Sequence, residues 1–499
     1  MRHGSGEIDL ITAGIDIGTS SVKVVLVGDA DQVLASASRA LSVSRPRPGF
    51  SEQDPAHWWQ AVVDCLDELQ QKHGVALAEV DAIGLSGQMH GATLLDDKGA
   101  VLRPCILWND SRSAAECERL TEEWPGLHAI TGNLAMPGFT APKLMWVQQH
   151  EPAVFKRIAK VLLPKAYVRW RLCGEYAEDM SDASGTLWLD VARRDWSDAA
   201  LAATGMRREQ MPRLVEGSAV SGELRAEWVT RWGFRRVPLI AGGAGDCAAG
   251  AVGVGAVRAG DAFVSLGTSG VLWATTAQFA PAPAQAVHAF CHALPETWHQ
   301  MGVLLSAAAS LAWWSGITGI GEAALLAEID PSTPPADCWF APYLNGERTP
   351  HNDAAVRGGF LGLDGGSSRA DMTLAVLTGV AYAMRDAQQA LAGAGTVLRE
   401  ADLIGGGARS ALWGQLMADV LDIPLHQVAE SEIGCALGAA RLAGLAKGAP
   451  MSGVVRPRRV RSFEPHADRA QLHAERYRRW RSLYSPLSTF ARADVIGSI

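Results

Sequence analysis

The sequence predicts an α/β protein made of two related domains, and three observations support this. The chain has 499 residues, enough for two large domains or about three ordinary ones. Hydrophobic residues make up 48% and charged residues 20%, which is typical of a globular protein and excludes disorder as its main state. A motif in residues 15–22 returns in residues 264–271, at an offset of 249 residues, about half the chain.

Composition and charge exclude several classes of partner. Lys and Arg total 45 against 53 Asp and Glu, and this net charge of −8 gives no field for gathering nucleic acid. Glu7 and Asp9 lie where a signal peptide needs apolar residues, and no apolar run reaches the ~18 residues of a membrane helix. The eight cysteines are scattered without a Cys-x-x-Cys pair. We therefore expect a cytoplasmic protein with reduced thiols and no nucleic-acid or membrane partner.

The N-terminal region has the pattern of an antiparallel meander. Alternating β-rich runs are separated by turns at Gly18-Thr19-Ser20 and at residues 28–31. The predicted strands are residues 12–17, 21–27 and 33–41, with a further buried strand at residues 80–84.

Three helices can be predicted from capping and periodicity. Asp54 and Pro55 supply an N-cap and a first-turn proline, and Gly74 is expected to end that helix. Residues 371–392 predict a second helix. Residues 472–483 predict a short basic helix, for which a solvated face is a simpler interpretation than an anion site.

The repeated motif has the character of a phosphate-binding turn. Gly18-Thr19-Ser20 and Gly267-Thr268-Ser269 each direct backbone N–H groups and small hydroxyls towards one point, which suits phosphate oxygens. Asp16 adds a hard oxygen ligand suited to Mg²⁺, whereas the second copy has Ser265. One such turn is more often only a turn, but two matching turns predict a nucleotide held from both domains.

Two further glycine-rich segments extend this hypothesis. The three glycines 405–407 join a short strand to a helix and predict an adenosine pocket, with a plain β-to-α connection as the alternative. Residues 240–250 place Asp246 at the start of a small-residue helix. Such a carboxylate can cap the helix, or accept the proton of an alcohol that attacks phosphorus.

A polar segment after the strand at residues 80–84 suggests a sugar site. Gln88 and His90 can hydrogen-bond hydroxyls, Met89 offers an apolar wall, and Trp108 adds an aromatic plane. A lone histidine is more often structural, so this interpretation depends on its neighbours.

Together these residues resemble the FGGY family of carbohydrate kinases, within the sugar kinase, Hsp70 and actin superfamily. Residues 137–146 are similar to its first signature, and residues 359–363, continuing to Asp386, to its second. The resemblance covers residues 12–485 and implies two ribonuclease H-like α/β domains, 11–254 and 255–487, with a central interdomain cleft.

The family resemblance also implies residue roles. Asp246 would be the catalytic base, and Asp16 would order Mg²⁺ directly or through water, with Asp246 as a second candidate ligand. The residues expected to bind the sugar are Gln88, Met89, His90, Trp108 and Asp246. The residues expected to bind ATP are Gly18, Thr19, Ser20, Lys23, Gly267, Thr268, Ser269, Gly405, Gly406, Gly407 and Ala408.

The segment 87–91 is most similar to bacterial members that act on xylulose, so we expect ATP-dependent phosphorylation of D-xylulose to its 5-phosphate. A kinase of another ketose or of a pentitol, and a non-catalytic nucleotide-switched binding module, are the alternatives. Cys247 departs from the Asn or Gln usual in relatives, so a polar contact to the sugar is in doubt. The residues before Thr12 are expected to be a disordered extension, and a homodimer is left open.

Overall fold

The structure is a computed structural model that describes residues 10–332, 334–429 and 434–493. Within these residues the chain forms two compact units. The first unit takes its described residues from 1–257, 290–298 and 431–456, and the second from 258–289, 299–430 and 457–499. The domain bounds expected from the sequence, 11–254 and 255–487, stay a prediction. The extension expected before Thr12 lies outside the described residues except for Leu10 and Ile11.

The strands alternate with helices along the chain, as the α/β prediction requires. In chain order the strands are β1 Ile11–Ile17, β2 Ser21–Val27, β3 Val33–Ala40, β4 Glu52–Gln53, β5 Val80–Gly87, β6 Thr93–Leu95, β7 Cys105–Ile106, β8 Lys160–Leu162, β9 Ala177–Asp179, β10 Leu189–Asp190, β11 Asp195–Trp196, β12 Arg213–Val215, β13 Val220–Glu223, β14 Leu239–Ala241, β15 Ala244–Gly245, β16 Ala262–Leu266, β17 Gly270–Thr276, β18 His288–Cys291, β19 Trp298–Leu304, β20 Trp339–Ala341, β21 Gly359–Leu361, β22 Ala401–Ile404, β23 Leu425–Val428 and β24 Arg459–Phe463.

The helices range from single turns to a 25-residue helix. In chain order they are α1 Pro55–Ala78, α2 Ala114–Glu123, α3 Leu127–Thr131, α4 Thr140–His150, α5 Pro152–Phe155, α6 Pro164–Cys173, α7 Met180–Ser184, α8 Asp198–Ala203, α9 Ala226–Trp232, α10 Asp246–Gly253, α11 Ala308–Thr318, α12 Glu322–Ala327, α13 Arg369–Gly393, α14 Ala411–Leu421, α15 Gly434–Ala446, α16 Ala467–Arg481 and α17 Tyr484–Ala493.

A mixed sheet forms the centre of the first unit. Its strands run in the order β13-β14-β5-β1-β2-β3, and β15 also pairs with β5. The β1-β2-β3 meander is antiparallel, which confirms the prediction for residues 12–41. Strands β1 and β15 are both parallel to β5, and Ile17 and Gly245 both lie opposite Gly87. The carboxyl ends of three strands therefore meet at one edge of the sheet.

The second unit repeats this local arrangement. Strands β16 and β17 form an antiparallel hairpin, and β16 is parallel to β22, with Ser265 opposite Ile404. The sheet continues from β22 through β23 to β24. The sequence repeat thus corresponds to the same strand–turn–strand unit in both halves, and the α/β prediction of two related domains is confirmed.

Helix α15 lies far along the sequence but packs within the first unit. A Cβ atom added to Gly14 of β1 would lie 1.8 Å from the carbonyl oxygen of Ala436. A Cβ atom on Gly438 would lie equally close to the carbonyl oxygen of Ala249 in α10. Glycine is therefore required at both positions, because the backbones of the helix, β1 and α10 approach too closely for a side chain.

Some predicted boundaries differ from the structure. Helix α1 does not end at Gly74 but continues to Ala78, with a break at His73, because burial of Leu77 outweighs the ~1 kcal/mol cost of a helical glycine. The strand predicted at residues 80–84 extends to Gly87, and α16 begins at Ala467 rather than at residue 472. The helix predicted at residues 371–392 is observed as α13.

Each unit has its own apolar core. Trp58 and Trp232 are fully buried in the first, and Trp413 and Trp480 in the second. All eight cysteines are free thiols, as expected. Across the part of the chain that the structure describes, no helix combines the length and apolarity needed to cross a membrane.

Candidate active site

The converging strand ends of the first unit bring together residues predicted from separate motifs. Asp16 lies opposite Ser86 near the ends of β1 and β5. Gln88 follows β5 directly, and its backbone N–H donates to the carbonyl oxygen of Ile17 at 2.8 Å. Asp246 follows β15 and is the first residue of α10. Three polar side chains therefore lie at or directly after the carboxyl ends of adjacent parallel strands.

Asp246 has the properties of a proton acceptor. Its Oδ1 accepts a hydrogen bond of 2.7 Å from the backbone N–H of Cys247. Burial, together with the negative charge of Asp16, raises the pKa of Asp246 from 3.8 to about 6. A carboxylate with a pKa just below neutrality is largely ionised at pH 7 yet is a stronger base than an ordinary aspartate.

Asp16 has an oxygen available for a ligand. The side chain is partly buried, and its Oδ1 has no hydrogen-bond partner among the described residues. Burial raises the pKa of Asp16, while Ser86 and Lys23, which lies opposite it across the hairpin, act in the other direction. An unpartnered carboxylate oxygen near a second carboxylate is a donor set that suits a hard divalent cation, so these residues fit Mg²⁺.

The first hairpin turn is tied to the predicted sugar residues by side chains. Thr19 Oγ1 donates to Gln88 Oε1 at 3.0 Å and accepts from Trp108 Nε1 at 2.9 Å. The turn itself is closed by the Gly18 N–H, which donates to the carbonyl oxygen of Ser21. Ser20 is exposed, and Trp108 is 42% exposed. The residues predicted for phosphate and for sugar thus share one hydrogen-bond network.

Gln88 is a buried member of this hydrogen-bond network. It is 1% exposed, and its Nε2 donates to Gln53 Oε1 at 2.9 Å. Gln53 in turn donates to the carbonyl oxygen of Thr19 at 2.8 Å. Gln53 was not among the residues predicted for the site; its Oε1 also accepts a hydrogen bond of 3.0 Å from Trp58 Nε1 of α1. Direct contact of Gln88 with a sugar stays a prediction.

Met89 and His90 have fixed side-chain positions. His90 Nδ1 donates to the carbonyl oxygen of Gly185 at 2.7 Å, which requires a proton on Nδ1; in the neutral imidazole the lone pair is then on Nε2. The ring of Phe139 meets the His90 ring edge-on at 4.7 Å. A Cβ atom on Gly185 would lie 2.4 Å from the imidazole, and one on Gly245 would lie 2.8 Å from Met89 Cγ. Met89 therefore packs against the residue that precedes Asp246.

A buried polar cluster that the sequence did not predict supports the turn before Asp246. The Gly245 N–H donates to Ser181 Oγ at 3.1 Å, and Ser181 Oγ donates to Asp179 Oδ1 at 2.5 Å. Asp179 belongs to a group of three carboxylates with Glu178 and Asp182.

The ammonium of Lys165 is the counter-ion of these carboxylates. It lies 2.5 Å from Asp179 Oδ2 and also contacts Glu178 and Asp182, all with side chains at most 1% exposed. The lysine occupies the place that a metal ion would need, so we interpret the cluster as structural. Its members are acidic and basic residues at irregular spacing, and no sequence pattern marks them as buried.

The second unit brings together the other two predicted nucleotide motifs. Gly405 follows β22 with φ of +89°, and a Cβ atom there would lie 2.8 Å from the carbonyl carbon of Leu266. Gly267 and Thr268 use their carbonyl oxygens to accept the N–H groups of Ala308 and Ala307, at 2.8 and 3.0 Å. The adenosine motif and the second hairpin are therefore adjacent.

The three glycines and Ala408 have different surroundings. A Cβ atom on Gly406 would meet no atom of the described residues within 4 Å, so this face of the turn is open. The side chain of Ala408 is buried in the core of the second unit, which leaves only its backbone for a ligand. Ser269 is exposed at the tip of the hairpin, and Lys23 of the first unit is partly exposed on β2.

Comparison with known proteins gives a consistent result. Residues 11–253 match the N-terminal domain, and residues 262–447 the C-terminal domain, of the FGGY family of carbohydrate kinases. The chain is 49% identical over 481 residues to a xylulose kinase of Escherichia coli K12, covering 95% of this chain and 98% of that one. It is 48% identical over 472 residues to a xylulose kinase of Klebsiella pneumoniae, covering 91% and 96%.

A solved structure agrees with these relatives. A xylulose kinase from Brucella ovis superimposes with a TM-score of 0.94 at 49% identity, covering 96% of this chain and all of that one. The family matches span both halves of the chain and include both hairpins, Asp246 and the three glycines. The chain therefore belongs to the FGGY family of carbohydrate kinases.

Proposed function

We propose that this protein transfers the γ-phosphoryl group of ATP to D-xylulose and forms D-xylulose 5-phosphate. The observation that carries the proposal is the packing of Met89 against Gly245, which places a segment suited to a sugar beside the carboxylate of Asp246. Xylulose kinases 48–49% identical over more than nine tenths of the chain support the same acceptor.

Asp246 is the proposed general base. A sugar hydroxyl is a weak nucleophile, and Asp246 would take its proton as the oxygen forms its bond to the γ-phosphorus and the bond to the β-phosphate oxygen breaks. The pKa of about 6 suits this task near neutral pH. A positioned base contributes about 10²–10⁴-fold to the rate.

Met89 and His90 are the proposed sugar contacts. The hydrogen bond from Nδ1 to Gly185 directs the lone pair of His90 to Nε2, which would accept a hydrogen bond from a sugar hydroxyl. Met89 offers an apolar surface for the carbon face of the sugar, and Trp108 an exposed aromatic plane. Cys247 supplies a weak donor where the family resemblance implies an amide, so we expect its thiol to add little to sugar affinity.

The two hairpins and the glycine motif are the proposed ATP contacts. In the first unit these are Gly18, Thr19, Ser20 and Lys23, whose N–H groups, hydroxyls and ammonium suit phosphate oxygens. In the second unit they are Gly267–Ser269 for phosphate and Gly405–Ala408 for adenosine, where the open side at Gly406 allows a flat ring to approach.

Asp16 and Asp246 would hold Mg²⁺, directly or through water. The ion would supply positive charge to the phosphate oxygens during transfer. The unpartnered Oδ1 of Asp16 supports this assignment.

A substrate panel tests the proposal. ADP release is measured with D-xylulose, ribulose, xylitol, arabinitol and glycerol in turn. We expect the highest kcat/KM with D-xylulose. A higher kcat/KM with another ketose or a pentitol would show that the protein is a kinase with a different acceptor. ADP release that none of these compounds stimulates would favour a nucleotide-switched binding module. A homodimer and a cytoplasmic location stay predictions, and light scattering of the purified protein tests the first.

A further inference from the structure

Lys143 is a buried lysine that the proposed mechanism does not use. It lies in the first turn of α4 and is fully buried, with 0% of its surface exposed. Its Nζ donates a hydrogen bond of 2.9 Å to the carbonyl oxygen of His90. The residue thus directs its amine to the backbone of a proposed sugar contact, 53 residues away in sequence.

No carboxylate within the described residues forms an ion pair with this amine. The acidic side chain that acts electrostatically on it, Asp110, forms an ion pair with Arg112 at 2.6 Å. The other charged or titratable groups around Lys143 are Arg112 itself and the thiols of Cys105 and Cys117. Burial lowers the pKa of Lys143 to about 7. A buried amine without a counter-ion costs stability, so Lys143 is a candidate for a role in the site that its packing alone does not explain.

The backbone that Lys143 contacts is in an uncommon conformation. His90 has φ of +69°, in the left-handed region that residues with a side chain rarely adopt. Its carbonyl oxygen accepts a second hydrogen bond from Thr140 Oγ1 at 3.1 Å. Two donors from one helix turn therefore hold this peptide, and the conformation sets the direction of the imidazole.

We propose that Lys143 is a positioning residue for sugar recognition, which holds the left-handed backbone of His90 through its carbonyl oxygen. The inference rests on the proposed function, because it takes His90 as a contact of the sugar. Lys143 acts on the sugar through His90 and has no part in binding ATP.

The test replaces Lys143 with methionine, which keeps the length of the side chain but removes the donor. We expect Lys143→Met to raise the KM for D-xylulose about tenfold or more, the loss typical of a buried hydrogen bond to a charged group. The KM for ATP and the melting temperature should stay close to wild type. Lys72→Met, a matched change of an exposed lysine, is the control and should leave all three quantities unchanged.

Two further variants keep the test decisive. If Lys143→Met does not fold, Lys143→Leu, which also lacks a donor, is measured by the same criteria. Thr140→Val removes only the second donor and should raise the KM for D-xylulose in the same direction by a smaller factor. Folded variants with an unchanged KM for D-xylulose, or with equal changes in the KM for both substrates, would overturn the inference.

The wild-type protein is assayed first, which separates the two proposals. A wild type without D-xylulose-dependent ADP release contradicts the proposed acceptor, and the variants are then compared on the panel sugar that the wild type accepts. A wild type that uses D-xylulose, with variants of unchanged KM, contradicts only the role of Lys143.

Discussion

Replacing Asp246 with asparagine should make the protein more stable while it removes most of its activity. In the folded protein the pKa of Asp246 is raised from 3.8 to about 6 by burial and by the charge of Asp16. The ionised form is therefore penalised on folding. A difference of about two pH units corresponds to about 3 kcal/mol at most, since one unit is about 1.4 kcal/mol. Solvent contact of the partly buried side chain reduces this, and we expect a gain of about 1–3 kcal/mol.

The pH dependence of this gain follows from the direction of the pKa shift. A group whose pKa is raised by folding favours the folded state below its unfolded pKa, and this contribution is lost as the pH rises through the folded pKa. The asparagine variant avoids the loss. The extra free energy of unfolding of the asparagine variant over wild type should be complete above pH 6, decrease between pH 6 and pH 4, and vanish below that range.

Denaturant unfolding of wild type and Asp246→Asn at pH 8, 6 and 4.5 measures this difference. Asp97→Asn, a change of an exposed carboxylate, is the control and should have no effect on stability. Activity at pH 8 should fall by about 10²–10⁴-fold, because the amide cannot accept the proton. A variant that is less stable than wild type at pH 8 would refute the electrostatic reasoning, and near-normal turnover would refute the role as base.

Three other predictions concern the proposed active site. Asp16→Asn should raise the Mg²⁺ concentration needed for half-maximal activity several-fold, and an unchanged metal titration would argue against Asp16 as a ligand. Wild-type kcat/KM should fall about tenfold per pH unit below pH 6, as Asp246 takes up a proton; a flat profile down to pH 5 would contradict this. Gly185→Ala should weaken D-xylulose binding about tenfold or more, because the new methyl group would displace His90. A wild-type KM for D-xylulose in that variant would contradict it.

Local features of the fold could be predicted from the sequence because local residues determine them. The hairpin around Gly18 needs only a glycine turn between two β-rich runs, and its copy around Gly267 follows the same rule. The position of Asp246 between a strand end and a helix could be predicted as well, since a glycine-rich strand end that presents one carboxylate is an unusual pattern. In each case residues within a span of about ten positions carried the information.

Long-range packing could not be predicted in this way. The small residues of α15 indicate that another backbone element packs closely against this helix. They do not indicate that these elements are β1 and α10, both of which lie far earlier in the sequence. The end of α1 was misplaced for a related reason. The cost of Gly74 is local and visible in the sequence, whereas the compensating burial of Leu77 depends on the sheet beneath it.

The residues that hold the site in place could not be predicted from the sequence, because their roles depend on burial. Lys143 and Ser181 belong to residue types that are usually solvated. Lys143 lies in the segment 137–146 that is similar to the first family signature, but that resemblance does not show that its amine is buried. Their importance arises once water is removed, when each buried donor or charge must find a partner or cost several kcal/mol. The partners they find are the carbonyl oxygen of His90 and the N–H of Gly245, both in the backbone of the proposed catalytic segments. Candidate contacts of the reactants can thus be proposed from motifs, whereas the residues that hold these candidates in place emerge only when the buried hydrogen bonds are followed one by one.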